Sequence, residues 1–240
     1  MGSVDSWHQY CLETGCNEGQ RVLDALLADS PAPRILEAGC GSASHFRFKP
    51  GARLVGIDLS QKQLDRNQGL SEKICGDLQA YDLSGGNYDA VICHFVLEHL
   101  DRPDRALANF VRGLAPNGAI VLVAPNPFSL FGLAAKLTPF WFHASFYRVF
   151  FGPRKGGGPF PTFYRLPMAP SRVLRWAARS NLKVEYCRLY LDYTTWGLGR
   201  KSRLTRWFLR ALRAACKALT LGRLDPLLGT YTIILRRQST

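Results

Sequence analysis

This 240-residue sequence predicts an α/β fold, a mostly parallel sheet with helices on both faces, and three observations carry that reading. Short apolar runs alternate with helical patterns through the first half, the signature of βαβ units. The first of these runs breaks into Gly39-Cys40-Gly41 where a strand should turn into a helix. Acidic residues stand at the ends of the first three strand-like runs, at Glu37, Asp58 and Asp77.

The elements follow in order. Ser30-Pro31-Ala32-Pro33 closes a first amphipathic helix that contains Val22, Leu23, Leu26 and Leu27. Arg34–Ala38 reads as strand one and Arg53–Asp58 as strand two, with Ser60 placed to cap a helix holding Leu64. Lys73–Asp77 is a short third strand and Tyr88–Cys93 a fourth, followed by a helix around Ala106, Leu107 and Phe110. Ala115-Pro116-Asn117-Gly118 has the composition of a turn before strand five at Ala119–Val123. The alternation then stops. Residues 127–167 hold twelve aromatics and a Gly/Pro-rich elbow at Gly152–Pro159, too long for an ordinary connection, so a lid, acceptor-binding or docking element is expected. A helix at Ser171–Ser180, a sixth strand near Leu182–Leu189 and a last strand at Tyr231–Leu235 complete the set, with a second insert between the last two.

Composition bounds the rest. A chain with 47% hydrophobic residues can bury one substantial core, and no linker divides it, so a single domain over 1–240 is expected. Its parts are a core at about 20–125, an aromatic insert at about 127–168 and a basic amphipathic insert at about 192–227. Seven cysteines lie scattered without C-x-x-C or zinc spacing, which argues against disulfides and metal. The N-terminus lacks a signal-peptide pattern, and a reduced, cytoplasmic setting is expected. No uninterrupted apolar stretch reaches transmembrane length. Charge is uneven: residues 1–125 carry 11 Lys/Arg against 15 Asp/Glu, and residues 126–240 carry 20 against 3. A solvated basic surface would explain the second half, as would an anionic or interfacial partner.

The Gly39-Cys40-Gly41 break lets the backbone approach a nucleotide-like ligand. A dinucleotide fingerprint would place Gly or Ala where Ser44 stands, and Glu37 beside the loop disfavours a pyrophosphate, so NAD and FAD are not expected. A carboxylate there suits a cofactor bearing a positive charge. Asp58, nineteen residues after Gly39, can accept from both ribose hydroxyls, or else cap a helix; Asp77 can accept from an adenine amino group, with Leu78 or Cys75 as a wall.

In order along the chain stand Ile35-Leu36-Glu37-Ala38-Gly39-Cys40-Gly41-Ser42-Ala43, Val55-Gly56-Ile57-Asp58-Leu59-Ser60, Gly76-Asp77, Tyr88–Ile92 with Val96-Leu97-Glu98-His99-Leu100, and Leu114–Gly118. Together they resemble the class I S-adenosylmethionine-dependent methyltransferases, in the type 11 group that includes the quinone-biosynthesis methyltransferases. The resemblance covers about residues 20–125, and the later strand-like segments would complete a Rossmann-like, seven-stranded sheet. It implies S-adenosylmethionine as cofactor and S-adenosylhomocysteine as product. The glycine loop, Gly39, Cys40 and Gly41, would then meet the methionine part, Asp58 the ribose and Asp77 the adenine, with Glu37, Leu59 and Leu78 as further candidate cofactor contacts. Ala43 departs from the third glycine of many members.

Methyl transfer from a sulfonium requires alignment and water exclusion, with a base optional. His94, at the end of strand four, and His143, in the aromatic insert, are the candidate catalytic residues, and His94 also a cofactor contact. His99 and Cys93 read as structural. Phe142, His143, Tyr147, Tyr164 and Arg165 are candidates for binding a small hydrophobic or anionic acceptor; a ligand-free hydrophobic cap is the alternative. From Lys201 to Thr220, Leu204, Trp207, Phe208, Ala211, Leu212, Ala215 and Leu219 form one helical stripe. Arg203, Arg206, Arg210, Arg213 and Lys217 form another, roughly opposite. Core packing explains the apolar stripe, and so does an anionic membrane surface, which would put the protein peripherally on a membrane's inner face. RNA methylation is the competing activity, supported by charge and opposed by the lack of an RNA-binding module. A non-catalytic cofactor-binding or membrane-docking protein of the same fold is the third reading.

Overall fold

The computed structural model describes residues 9–137 and 162–238. Seven strands form one sheet in the order β3-β2-β1-β4-β5-β7-β6. They are β1 (Arg34–Ala38), β2 (Arg53–Asp58), β3 (Glu72–Cys75), β4 (Tyr88–His94), β5 (Leu114–Pro125), β6 (Leu182–Tyr190) and β7 (Thr230–Arg237). All pairings from β3 through β5 are parallel, while β7 runs antiparallel between β5 and β6. The sheet is thus Rossmann-like and mixed, with strands drawn from both halves of the chain.

Alternation along the strands sorts side chains onto two faces. Leu36, Val91, Cys93, Ile120 and Leu122 pack on one face with Leu107 and Phe110 of α4 (Pro103–Gly113) and Val173 and Ala177 of α6 (Pro170–Arg179). Ile35, Ala90, Ile92, Val121 and Ile234 pack on the other with Leu23 of α2 (Glu18–Leu26) and Leu27 just beyond it. Tyr231, fully buried, donates its hydroxyl to the Met168 carbonyl at 2.6 Å and so fastens the last strand to the turn before α6.

Several local expectations change under tertiary packing. The Ala115–Gly118 segment does not precede β5 but lies inside it, as a bulge across which pairing jumps from Tyr88↔Leu114 to Ala90↔Ala119. Asn117 adopts the left-handed conformation that this bend requires, at φ 61°. Strand β3 ends at Cys75, so Asp77 stands two residues beyond it. Ser60 occupies the cap position of α3 (Gln61–Arg66), yet its side chain makes no capping bond; its N–H is held by Asp58 at 2.8 Å. Among the described residues every cysteine is a free thiol, and packing brings the sulfurs of Cys11 and Cys16 within 2.6 Å, in the region of helix α1 (residues 9–14).

The C-terminal insert folds as α7 (Tyr193–Lys201) and α8 (Arg203–Leu219). Trp196 of α7 donates to Glu13 at 2.7 Å and Arg200 pairs with the same carboxylate, tying α7 to the N-terminal segment. Helix α8 opens with a capping box between Ser202 and Thr205 and docks through Leu209, its one buried residue. Most of the stripe read from the sequence faces solvent: Leu204, Trp207, Phe208 and Leu219 are exposed by 74, 67, 59 and 87%, and of its members only Leu212 is half-buried. Helix α5 (Leu130–Leu137) follows β5. Among the described residues no helix is long and apolar enough to cross a membrane.

Candidate active site

Parallel strands whose crossovers carry helices leave a crevice outside their carboxyl ends. Here the ends of β3, β2, β1 and β4 lie side by side and present Asp77, Asp58, Glu37 and His94 in that order. Register fixes the sequence of the row: Asp58 pairs with Cys75, Ala38 with Ile57, and Ala38 with Cys93. At about 4.8 Å between strands, the row runs for about 14 Å.

The loop after β1 is built around two left-handed glycines, Gly39 at φ 70° and Gly41 at φ 52°. A Cβ at Gly39 would fall 2.4 Å from a Val96 methyl, so this glycine also permits close packing against the turn after β4. Gly41 donates its N–H to one oxygen of Asp58 at 2.9 Å, and Ser60 donates to the other at 2.8 Å. Asp58 therefore joins the glycine loop to the start of α3, and each half-buried carboxylate oxygen keeps lone-pair capacity for a further donor. Cys40 is buried with its sulfur against Gly56, where burial and the nearby Asp58 and Glu37 push the thiol up to about 12. Leu59 is 70% exposed beside this loop, and its carbonyl accepts from the exposed Cys75 thiol. Leu78 differs: its side chain lies in the core and its carbonyl accepts from Asn109 at 2.7 Å, which steadies the turn bearing Asp77. Asp77 itself accepts from the Gln79 N–H at 2.9 Å.

A cleft at the ends of β1 and β4 is lined by Glu37, Ala38, Gly39, Cys40, Ala43, His45, Ile92 and His94. Glu37 is buried and receives the Ser44 hydroxyl; burial raises its pKa, and that hydrogen bond partly opposes the rise. His45 stacks on His94 with ring centroids 4.3 Å apart, and Phe95 meets His94 edge-on at 4.8 Å. Burial, reinforced by His45, pushes His94 down to about 3, and burial lowers His45 as well. Both rings are consequently neutral at physiological pH. The buried Nδ1 of His94 has no hydrogen-bond partner among the described residues. Sequence reasoning missed His45, because nothing local marks a histidine that a loop folds onto a strand end.

Of the acceptor candidates, Phe142, His143 and Tyr147 lie outside the described residues. Tyr164 takes a left-handed conformation at φ 46° and packs against the main core, its N–H directed to the Glu98 carbonyl, which also accepts from Phe163 at 2.7 Å. Arg165 is exposed, pairs with Asp101 and lies over the Phe163 ring. The structure thus places the start of the post-insert segment against the turn that follows β4.

Comparison with known proteins accords with this geometry. Residues 36–122 match the family described as "Methyltransferase domain". A demethylmenaquinone methyltransferase of Renibacterium salmoninarum is 29% identical over 51% of this chain and 48% of its own length. A ubiquinone biosynthesis O-methyltransferase of Dechloromonas aromatica is 28% identical over 63% of this chain and 65% of its own. The chain spans between about a quarter and two thirds of the length of the curated relatives it matches. An S-adenosylmethionine-dependent methyltransferase structure from Mesorhizobium loti shares the fold, with a TM-score of 0.52 at 18% identity over 90% of this chain and 96% of that one.

Proposed function

We propose that this chain is a class I S-adenosylmethionine-dependent methyltransferase that transfers the methyl group of that cofactor to a small hydrophobic acceptor, releasing S-adenosylhomocysteine; the match of residues 36–122 to a methyltransferase domain supports this. The observation that carries the proposal is the row of Asp77, Asp58, Glu37 and His94 at or just beyond the carboxyl ends of four neighbouring strands. Its length suits an extended nucleoside joined to an amino acid. Glu37 faces the cationic amino end, Asp58 accepts from the ribose hydroxyls, and Asp77 marks the adenine end, where Leu59 and Cys75 supply an apolar wall. The donor set fits a cation: the cleft is lined by one carboxylate and two neutral imidazoles, with no Lys or Arg. A pyrophosphate would require the reverse.

When bound, the cofactor supplies an electrophilic methyl on a sulfonium; transfer breaks its carbon–sulfur bond and leaves a neutral thioether. The protein's part is to orient and to exclude water. Because burial holds His94 at about 3, it is a weak proton acceptor and serves as a neutral hydrogen-bonding contact rather than a strong base. Tyr164 and Arg165, with Phe142, His143 and Tyr147 of the insert, are the proposed acceptor side. The two quinone-pathway relatives support an aromatic, hydrophobic acceptor.

Calorimetry with S-adenosylhomocysteine tests the cofactor assignment. Asp58→Ala removes one or two ribose hydrogen bonds and is expected to weaken binding by about 1–3 kcal/mol. Unchanged affinity in a folded variant would overturn it. Transfer of isotopically labelled methyl into the organic-extractable fraction of a metabolite pool tests the acceptor class, and label appearing in RNA instead would favour the competing activity.

A further inference from the structure

We propose that the exposed face of α8 is a docking surface for anionic phospholipid membrane. Around this helix, at about 100° per residue, three sectors follow one another. Thr205, Leu209, Leu212 and Cys216 turn toward the body of the protein, and only Leu209 is buried. Trp207 lies about opposite that strip. Its sector, with Leu204, Phe208 and Leu219, is apolar and open to solvent. The third sector, Arg203, Arg206, Arg210, Arg213 and Lys217, adjoins the apolar one at the Arg203–Trp207 border, so charged groups flank the exposed face.

Nothing in the fold's own stability calls for this face. Exposed large apolar side chains scattered singly are ordinary, but a contiguous set on one helix marks an interaction surface. The patch continues past the helix in Leu221, which is 85% exposed although it occupies the left-handed conformation at φ 52°. A leucine there is strained without burying anything.

Charge complementarity selects the partner. Between residues 193 and 224 the chain has eight Arg or Lys and no Asp or Glu. Asp225, just beyond, is taken up by Arg213 at 2.6 Å and Lys217 at 3.3 Å. A second copy of the chain would bring like charges together on this face. A nucleic acid would leave Leu204, Leu219 and Leu221 without apolar contact, since leucines offer no stacking surface to bases. An anionic lipid interface satisfies both sectors, with Trp207 at headgroup depth, the leucines below it and the arginines on phosphates. The helix lies on such a surface rather than across it, consistent with its arginine content.

Vesicle sedimentation of the full-length chain tests this without reference to methyl transfer, so its failure and that of the proposed function are separable. Vesicles of phosphatidylcholine with phosphatidylglycerol should bind the protein, and phosphatidylcholine alone should bind it at least about tenfold less well. Raising sodium chloride from about 0.05 M to about 0.5 M should also release most of it. Trp207→Glu and Leu219→Glu should each abolish binding with the thermal transition unchanged, since both side chains are exposed; Arg203→Gln with Arg210→Gln should weaken it about tenfold or more. If Trp207→Glu impairs folding, Leu219→Glu, at the helix end, carries the test. Equal binding to both vesicle types, or variants that bind as the parent does, would overturn the proposal. Concentration-dependent dimerisation lost in Trp207→Glu would assign the face to a second copy instead. Retention by RNA but not by vesicles would assign it to nucleic acid.

Discussion

Glu98 offers the sharpest test of how this site is supported. It sits in the turn Leu97–His99 that follows β4 after two residues, is 4% exposed, and has a carboxylate oxygen, Oε2, without a hydrogen-bond partner among the described residues. Burial pushes its pKa up from 4.5 to about 8, so at neutral pH it is a protonated acid. His99 approaches its other oxygen at 4.0 Å, and Cys93 and Tyr231 lie close enough to feel its charge. The folded state then binds a proton that the unfolded state has released between pH 4.5 and about 8. Stability from this group is fully present below 4.5 and is lost as pH rises through about 8. The slope is about 1.4 kcal/mol per pH unit, on the order of 5 kcal/mol across the window. Glu98→Gln keeps the shape and stays neutral, so its stability relative to the parent should be lowest near pH 4.5 and rise steadily toward pH 8. Urea unfolding of both proteins across that range measures the difference directly, because every other titrating group cancels. Parallel stability curves would refute the assignment of Glu98 as a buried neutral acid. The consequence reaches the site, since the Glu98 carbonyl anchors Phe163 and Tyr164.

Further predictions follow from the cleft. Glu37→Gln should weaken S-adenosylhomocysteine binding by about 1.5–3 kcal/mol in calorimetry, the range for a hydrogen bond to a charged group. In the parent, affinity should fall as pH drops through the raised Glu37 titration, because the ammonium pairs with the carboxylate form; Ser44→Ala removes the opposing hydrogen bond and should move that loss to higher pH. Gly39→Ala should lower the melting temperature through both a left-handed alanine, about 1–2 kcal/mol, and its clash with Val96. Adding Val96→Ala should recover only the second part. Since burial keeps His94 neutral, His94→Phe should change turnover without moving the acid limb of its pH profile between about pH 5 and 8; a shifted limb would show that His94 titrates there after all.

How much of this was legible in the sequence divides along a physical line. Strand alternation, the Gly39-Cys40-Gly41 break and the acids at the ends of the first three strand-like runs are local patterns, because a two-residue period, a positive φ and the residue ending a strand depend on near neighbours. Hence the parallel core and the row of Glu37, Asp58 and Asp77 could be read directly. What required the folded chain was long-range. Strand β7 enters antiparallel between β5 and β6, a choice made by pairing between segments about forty to about a hundred and twenty residues apart. The His45–His94 stack depends on a loop returning over a strand end. Leu78, beside Asp77, turns its side chain into the main core, which only the packing of the neighbouring elements decides. For α8 the sequence determined that an amphipathic helix forms. It could not determine which stripe docks, because the apolar stripe and the Leu209 strip are adjacent on the same cylinder and only the surface beneath decides between them.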